Sequence, residues 1–372
     1  MESEEIRKEG KDMGKRTIIP FGPQHPVLPE PVHLDLVVED ETVVEAIPSI
    51  GFIHRGLEKL VETKDYNQMV YVIERICGIC SFGHGWGACA SIEGAMSVRI
   101  PERAEFLRTI LHELSRMHSH LLWLGLLADA FGFESLFMHC WRIRETVLDI
   151  LEKATGGRVI FSICKVGGMR RDISDEELKE IVEILDGLKA EIKEITDVFI
   201  EDDSVKNRMC GVGILSKEDA EELCAVGPVA RGSGVVQDLR LTNSHGVYDQ
   251  LDFEPVIETD GDCYARCKVR IGEIFQSIEL VEKAVEKIPE GPVSVDVKGN
   301  VQGEYITRLE QPRGEAFYYA KGAGSKFLKR MRVRTPTNMN IPALVKTLQG
   351  CDLADVPILI LTIDPCISCT ER

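Results

Sequence analysis

The sequence predicts a mainly α-helical fold with a small β component (α+β), in which a long-helix bundle core is flanked by an N-terminal β-hairpin and a C-terminal strand. Apolar residues recur at helical spacing over several long stretches in the middle of the chain. Near the N-terminus, two runs of alternating apolar residues enclose an acidic turn, which is a hairpin signal. Near the C-terminus, a short apolar run has the length of a buried strand.

The N-terminal elements follow from local patterns. Residues 17–30 hold four prolines and predict an extended, loop-like lead-in. Residues 32–38 and 42–47 predict the two strands of the hairpin. We expect residues 1–16 to be a mobile charged tail and residues 17–372 to form a single domain, since the chemically informative residues described below come from both ends.

The central and C-terminal elements are mostly helices. The helices are predicted from helical periodicity of the apolar residues. A capping box marks one helix start at Ser174, and two consecutive glycines mark one helix end after residue 155. Residues 203–262 predict loops with short elements, because glycines and prolines interrupt them. The predicted helices are 103–131, 135–154, 174–198, 262–287 and a short one at 342–349, and the predicted strands are 292–297 and 356–363.

Composition excludes some classes of protein. The formal net charge is −17 over 372 residues, which argues against nucleic-acid binding. No signal peptide or membrane span is visible, since the most apolar stretch, residues 121–133, contains Asp129 and is shorter than the roughly 20 residues that a span needs. Twelve cysteines in such a chain indicate a reducing compartment, where they more often bind metals than form disulfides.

Two C-x-x-C pairs are the strongest chemical signal. Cys77 and Cys80 form the first pair, and Cys366 and Cys369 form the second. Thiolates three residues apart can bind one metal ion, and four of them suit zinc, nickel or iron. A lone pair could also be a redox disulfide or half of a zinc ribbon. A compact ribbon separates its pairs by about 15–20 residues, so the much longer separation here favours a site built between the two ends of the folded chain.

The surroundings of both pairs carry a resemblance. The segments Arg75-Ile-Cys-Gly-Ile-Cys-Ser-Phe-Gly-His84 and Asp364-Pro-Cys-Ile-Ser-Cys-Thr-Glu-Arg372 together resemble the two signature motifs of nickel-iron hydrogenase large subunits. The resemblance implies the catalytic subunit of such an enzyme, which carries out reversible heterolytic H2 oxidation and proton reduction. It implies a Ni-Fe centre with CO and CN ligands on iron. Cys77 and Cys366 would be terminal nickel ligands, and Cys80 and Cys369 would bridge nickel and iron.

Further positions match the family's motifs. Gln311-Pro312-Arg313-Gly314 resembles the segment in which an arginine lies over the metals and donates to a cyanide, which implies cofactor-binding roles for Pro312 and Arg313. Thr337 matches the hydroxyl donor to the other cyanide. Asp364 matches an aspartate above the metals, and His84 matches a hydrogen-bond donor to a bridging sulfur. Each of three residues also has a purely structural alternative. Arg313 could be a surface arginine in a turn, Asp364 could belong to a turn-forming Asp-Pro pair, and His84 could be a core histidine packed on a helix.

Two glutamates also match family positions. Glu30 occupies the place of the first proton acceptor, with one residue more than the usual spacing, and its structural alternative is a solvated loop residue. Glu58 matches a carboxylate ligand of a second metal, magnesium or iron. Many members end in a histidine ligand where this chain has Arg372, whose guanidinium does not normally bind metal. Glu58 is therefore either a ligand of a second metal or the partner of Arg372.

Three other segments point to the energy-converting, membrane-bound branch of the family. The segments that start at Gly22 (Gly-Pro-Gln-His-Pro), His118 (His-Ser-His-Leu-Leu-Trp-Leu-Gly) and Gly261 (Gly-Asp-Cys-Tyr-Ala-Arg) resemble the quinone-site subunit of respiratory complex I. The resemblance implies a cytoplasmic subunit, peripheral on the inner face of the cell membrane. Its partners would be a hydrogenase small subunit carrying a 4Fe-4S cluster, further iron-sulfur or ferredoxin-like subunits, integral-membrane ion-translocating subunits, and ferredoxin. No iron-sulfur cluster is expected in this chain.

Two other functions remain open on the sequence alone. One is a non-catalytic, complex I-like quinone-site or electron-transfer scaffold, which would hold no nickel. The other is a structural zinc protein with a closed thiolate site. The basic run at residues 326–334 predicts a partner contact or a structural anchor near Thr337, or else a solvated face.

Overall fold

Long helices form the centre of the protein. The computed structural model describes residues 16–26, 28, 30–242 and 245–372, and most of the charged tail predicted at residues 1–16 lies outside them. In chain order the helices are α1 (Leu57–Val61), α2 (Met69–Glu74), α3 (Ser81–Met96), α4 (Glu102–Ala130), α5 (Glu134–Thr155), α6 (Asp175–Glu201), α7 (Asp203–Met209), α8 (Lys217–Glu222), α9 (Pro228–Arg231), α10 (Leu239–Thr242), α11 (Cys263–Lys287), α12 (Pro336–Leu348), α13 (Val356–Thr362) and α14 (Ile367–Thr370). The strands are β1 (Thr17–Phe21), β2 (His33–Glu39), β3 (Thr42–Ser49), β4 (Cys164–Lys165), β5 (Gly168–Met169), β6 (Glu304–Gln311), β7 (Gly314–Gly322) and β8 (Leu328–Arg334).

The fold-class prediction is confirmed, since 51% of the structure is helical and 15% is strand. The four long helices α4, α5, α6 and α11 begin and end within a few residues of their predicted bounds. The Ser174 side chain accepts from Glu177 N, and Glu177 returns a bond to Ser174 N, so the predicted capping box forms. Helix α5 ends at Gly156, whose φ of 82° is accessible to glycine at low steric cost.

Helix α4 is the central element of the bundle. It packs against α5 and α11, and α6 packs against the same two helices. Almost every residue of α4 is buried, including the polar residues Arg108, His112, Arg116 and His120, which recur at four-residue spacing and share one face. Among the described residues, no helix has both the length and the apolarity needed to cross a membrane.

The polar face of α4 holds the β6–β7 turn in place. Arg116 donates to the Glu310 carbonyl at 2.9 Å and to Glu113 at 3.1 Å, while the His112 ring lies 2.7 Å from the same carbonyl. The Glu310 carboxylate in turn accepts from Arg231 at 2.9 Å. These groups are buried, and removing one partner of a buried ion pair typically costs about 3–5 kcal/mol. The turn that follows Glu310 therefore has a defined position relative to the helix bundle.

Two three-stranded antiparallel sheets lie outside the bundle. In the first, β2 pairs with β3 as the hairpin predicted, but β1 pairs with β2 on its other side. The prediction of a loop-like lead-in over residues 17–30 is therefore wrong for Thr17–Phe21. A proline at position 20 is compatible with this strand because β1 is an edge strand. The second sheet, β6–β7–β8, was not predicted from the sequence.

Two predicted strands are wrong. Residues 292–297 form no strand, only an isolated bridge between Ser294 and Gly168. Residues Val356–Thr362 form helix α13, so no C-terminal strand flanks the site. Apolar runs of this length do not distinguish a strand from a buried helix. Here the surrounding side chains favour the helix, because Trp123 Nε1 and Arg270 Nη2 donate to carbonyls at the C-terminal end of α13, at 2.7 and 2.9 Å.

Helix α3 packs closely against the second sheet because glycines face it. A Cβ atom at Gly87 would lie 2.2 Å from the ring of Tyr318 on β7, and one at Gly94 would lie equally close to Tyr305. By contrast, no atom lies within 4 Å of a Cβ built at Gly187, on an exposed position of α6. Glycines along α3 thus permit a contact that larger residues would block.

Gly87→Ala should lower the free energy of unfolding by about 1–3 kcal/mol, because the methyl group overpacks against a fully buried ring. Gly187→Ala is the matched control and should raise it by about 0.5–1 kcal/mol through helix propensity. Urea denaturation followed by circular dichroism measures both. Equal effects of the two substitutions would contradict the packing described here.

Candidate metal centre

The two cysteine pairs meet in one buried site. Cys77 Sγ lies 3.3 Å from Cys366 Sγ, and Cys80 Sγ lies 3.5 Å from Cys369 Sγ. The sulfur atoms of Cys77, Cys80 and Cys369 all lie within 4.8 Å of one another. All four side chains are buried. The fold therefore brings together the thiols that the sequence singles out, although they come from opposite ends of the chain.

Local backbone geometry shapes each pair. The N–H groups of Ile79 and Cys80 point at Cys77 Sγ, at 3.2 and 3.4 Å, and Cys369 N points at Cys366 Sγ at 3.4 Å. Helix α3 begins directly after Cys80, and α14 begins directly after Cys366. The first thiol of each pair thus receives backbone hydrogen bonds, which favour its ionised form.

The electrostatics of the four thiols suit a cation. Hydrogen bonds from Cys366, Cys369 and Cys80 hold the pKa of Cys77 well below its usual value. Burial, followed by the hydrogen bond from Cys366, raises the pKa of Cys369 well above its usual value. One thiolate therefore forms readily, while ionisation of the whole set requires compensating positive charge. A borderline metal supplies that charge, and the donor set fits nickel and iron as well as zinc.

Arg313 and Asp364 form a buried pair beside the thiols. Arg313 Nη2 donates to Asp364 Oδ1 at 2.8 Å, and Arg313 Nε donates to the Asp364 carbonyl at 2.9 Å. Burial alone would lower the pKa of Arg313, but the negative charge of Asp364 and the neighbouring cysteine sulfurs raise it well above its usual value. Asp364 adopts a left-handed φ of 54° just after α13. The turn between β6 and β7 contains the buried Pro312 and presents Arg313 to this site.

A cavity of about 250 Å³ reaches the same point. Leu122 and Leu126 of α4 line one part of it, and Arg313, Asp364 and Cys366 line another. Asp364 Oδ2 is buried and has no hydrogen-bond partner among the described residues. The cavity therefore combines apolar walls with an available acceptor next to a cysteine sulfur.

His84 is held in a defined orientation next to Cys369. Its Nε2 lies 3.5 Å from Cys369 Sγ, and its Nδ1 lies 2.9 Å from the Tyr318 hydroxyl. Gln311 Nε2 donates to that hydroxyl at 2.7 Å, and the Tyr318 hydroxyl has two acceptors within reach, His84 Nδ1 and the Gly83 carbonyl at 3.3 Å. Burial lowers the pKa of His84 to about 4. The ring is therefore neutral near pH 7, and its Nε2 is directed at the sulfur.

Sequence reasoning missed Tyr318, and it named Gln311 as part of a motif without assigning it a role. Gln311 directly precedes the Pro-Arg-Gly segment, and this position could have indicated that its side chain lies near the site. No sequence pattern identifies Tyr318, because its role depends on the pairing of β7 with β6.

Thr337 lies at the start of α12 and contacts the second cysteine pair. Its Oγ1 accepts from Cys366 N at 3.0 Å, and the residue is buried. Because this bond uses an oxygen lone pair, the hydroxyl proton stays available for a further acceptor.

Glu30 is anchored to the second cysteine pair rather than solvated. Its carboxylate accepts from Ile367 N, from Ser368 N at 3.0 Å and from Ser368 Oγ at 3.0 Å. Glu30 Oε1 lies 3.9 Å from Cys366 Sγ. The structure thus places a carboxylate next to one thiol of the site.

Glu58 is paired with Arg372. Arg372 Nε donates to Glu58 Oε1 at 3.1 Å, and its Nη1 donates to Asn338 Oδ1 at 3.2 Å and to the Thr370 carbonyl at 3.0 Å. Glu58 also accepts from Val333 N at 2.9 Å and from Arg332 at 3.2 Å. The basic strand β8 therefore acts as a structural anchor for Glu58.

Comparisons with known proteins identify the family of this chain. The family model described as the 49 Kd subunit of respiratory-chain NADH dehydrogenase matches residues 130–301 and 300–372. The model described as nickel-dependent hydrogenase matches residues 55–129, which include the first cysteine pair. The two matches together extend from Arg55 to the C-terminal cysteines.

Individual relatives are similar over nearly the whole chain. The membrane-bound hydrogenase subunit alpha of Pyrococcus furiosus is 38% identical over 95% of this chain and 87% of its own length. A NADH-quinone oxidoreductase subunit from Desulforamulus reducens is 34% identical over 93% of this chain and 96% of its own length. A chain in the structure of an archaeal respiratory membrane complex, the membrane-bound sulfane sulfur reductase, superposes with a TM-score of 0.91 at 29% identity, covering 96% of this chain and 98% of that chain. The protein therefore belongs to the family that unites the large subunits of membrane-bound, energy-converting nickel-iron hydrogenases with the 49 kDa subunit of respiratory complex I.

Proposed function

We propose that this protein is the catalytic subunit of an energy-converting nickel-iron hydrogenase and that it catalyses reversible heterolytic H2 oxidation and proton reduction. The observation that carries the proposal is the convergence of four buried thiols from the two signature motifs. The similarity to a membrane-bound hydrogenase subunit supports it.

The thiol geometry supports the division of ligands that the resemblance implies. The proposed terminal ligands Cys77 and Cys366 are neighbours, and so are the proposed bridging ligands Cys80 and Cys369. When bound, a Ni-Fe centre with CO and CN ligands on iron supplies the redox chemistry that cleaves H2 and accepts its electrons. Among the side chains, Arg313 and Thr337 retain donors for the cyanide ligands, Pro312 orients the turn that carries Arg313, and His84 donates to Cys369.

Glu30 is proposed as the first proton acceptor. Its carboxylate lies next to Cys366, and Ser368 holds it there through two hydrogen bonds. A base within a short side-chain movement of a sulfur can take the proton that heterolysis releases. Asp364 orients Arg313 through two hydrogen bonds, so that the guanidinium charge stays beside the thiolates.

The cavity beside Arg313 provides a route for a small apolar molecule. Its walls include Leu122 and Leu126, which disfavour water, and Cys366 also lines it. Dihydrogen is apolar and much smaller than the volume of about 250 Å³.

The electrons would leave through partner subunits. Among the described residues, one group of potential metal ligands lies close enough to share an ion, and it consists of cysteines of this site. We propose a small subunit with a 4Fe-4S cluster, further iron-sulfur subunits, ferredoxin and ion-translocating membrane subunits as partners. The protein would lie on the cytoplasmic face of the membrane, bound to a membrane complex of the kind that the names of its relatives describe.

We further propose that Arg372 takes the place of a second metal ion. Its guanidinium is hydrogen-bonded to Glu58, to Asn338 and to backbone carbonyls, which are oxygen groups of the kind that magnesium binds. A permanent cation at this point neutralises Glu58 without a bound ion.

A second function is favoured by the match to the 49 Kd subunit model and by the NADH-quinone oxidoreductase relative. In that case the protein would be a non-catalytic scaffold at a quinone site, and its thiols would hold no nickel.

Protein prepared with its maturation factors should contain nickel and iron in equal amounts and show sharp CO and CN bands in the infrared. Cys80→Ser and Cys369→Ser should abolish both signals, because each removes a bridging thiolate, whereas Cys210→Ser, at an exposed cysteine, should retain them. Metal analysis combined with infrared spectroscopy distinguishes the hydrogenase function from the zinc and scaffold functions. Protein with zinc alone, or with no metal and no bands, would support the zinc or scaffold function instead.

Glu30→Gln should slow H2 oxidation and H/D exchange by about 10²–10⁴-fold, because the amide cannot accept the proton. Nickel content and infrared bands should be unchanged. Glu45→Gln, on an exposed position of β3, is the control and should behave as wild type. Full activity of Glu30→Gln would assign the proton to another base.

Arg372→Ala should lower the free energy of unfolding by about 1–3 kcal/mol, because the half-buried Glu58 loses a charged hydrogen-bond partner. Arg208→Ala, at an exposed arginine, should have a much smaller effect. Thermal denaturation of the variants and of wild type, with and without Mg²⁺, measures this. Stabilisation of the wild type by stoichiometric Mg²⁺ would mean that a second ion binds despite Arg372.

A further inference from the structure

Arg55 connects the backbones of the two segments that carry the cysteines, the N-terminal arm (residues 71–84) and the C-terminal arm (residues 364–372). Its Nη1 donates to the Arg75 carbonyl at 2.8 Å, and its Nη2 donates to the Ile76 carbonyl at 2.8 Å and to the Ser368 carbonyl at 3.2 Å. The first two acceptors belong to the N-terminal arm, and the third belongs to the C-terminal arm. One guanidinium thus bridges segments that are about 290 residues apart in sequence.

The accepting carbonyls are those next to the thiol-bearing residues. Ile76 O is part of the peptide group that directly precedes Cys77, and Ser368 O is part of the one that directly precedes Cys369. A shift of either peptide group moves the attached cysteine. Arg55 therefore constrains the distance between one terminal and one bridging thiol without contacting a sulfur atom itself.

An arginine is suited to this role for geometric reasons. Its planar guanidinium carries donors in several directions, so that it can reach three carbonyl oxygens at once. A lysine at the same position keeps the charge, but its single ammonium cannot reproduce the planar fork that engages all three. Arg55 is held at the start of α1 by Gly56, whose φ of 64° directs the chain from Arg55 into that helix.

The neighbouring arginine gives a contrast. Arg75 is also exposed and carries the same charge, but its side chain donates to Tyr71 O, within the N-terminal arm. Arg55 crosses between the arms, while the side-chain bond of Arg75 does not. The comparison separates the effect of positive charge at this surface from the effect of the connection.

We propose that Arg55 is a positioning residue of the metal centre, which holds the two C-x-x-C arms at the spacing that metal binding requires. The proposal rests on the proposed function in one respect, namely that these arms hold the Ni-Fe centre. Metal sites are sensitive to ligand displacements of about 0.5 Å, so loss of the connection weakens metal retention and changes the surroundings of the bound group.

The test compares Arg55→Lys with Arg75→Lys, which is the same substitution at the same surface. In the matured protein, Arg55→Lys should shift or broaden the CO and CN infrared bands and accelerate nickel loss to a chelator by about tenfold, while thermal unfolding stays within a few degrees of wild type. Arg75→Lys should match the wild type in every readout. Wild-type bands and wild-type nickel retention in Arg55→Lys would overturn the proposal.

A second measurement does not depend on the Ni-Fe centre. The affinity of the metal-free protein for Zn²⁺, measured by competition with a chromogenic chelator, reports whether the four thiols converge. Arg55→Lys should bind Zn²⁺ about tenfold more weakly than Arg75→Lys, and equal affinities would contradict the positioning role. If wild-type protein never contains nickel, the hydrogenase function fails, and the Zn²⁺ comparison still decides the role of Arg55.

Discussion

The structure depends on bringing two cysteine pairs from opposite ends of the chain to within 3.5 Å of each other in a buried site. Burying four thiols that must ionise together is electrostatically unfavourable unless positive charge and hydrogen bonds accompany them. The chain provides backbone N–H groups at Cys77 and Cys366 and the guanidinium of Arg313. The remaining charge is what a bound metal would supply.

The position of Arg313 depends in turn on the buried polar face of α4. Arg116 and His112 bind the carbonyl of Glu310, which lies three residues before Arg313. Gln311, which follows Glu310, donates to the Tyr318 hydroxyl, and that hydroxyl in turn contacts His84 Nδ1. One turn between β6 and β7 thus presents Arg313 to one side of the thiols and supports His84 on another. Buried ion pairs contribute little net stability, but they are costly to break. They therefore suit a place where geometry matters more than stability.

The sequence is similar to relatives with different names, a membrane-bound hydrogenase subunit and a NADH-quinone oxidoreductase subunit. Fold similarity by itself therefore does not distinguish a hydrogenase from a quinone-site scaffold. The proposed function therefore rests on particular side chains, above all on the four cysteines and on Glu30 beside Cys366. This is why the proposed experiments measure bound metal and proton transfer rather than fold.

The sequence by itself determined the long helices and the identity of the thiol set. The helices α4, α5, α6 and α11 have long apolar periodicity and local stop or start signals, which act over a few residues and need no tertiary context. Only the tertiary structure decided the state of Val356–Thr362, since a short apolar run becomes helix or strand according to its neighbours, here Trp123 and Arg270. It also decided the pairing of Arg372 with Glu58, the orientation of His84 by Tyr318 and the bridge made by Arg55. Each of these contacts joins residues far apart in sequence, and their distances are set by packing of the whole chain rather than by any local pattern.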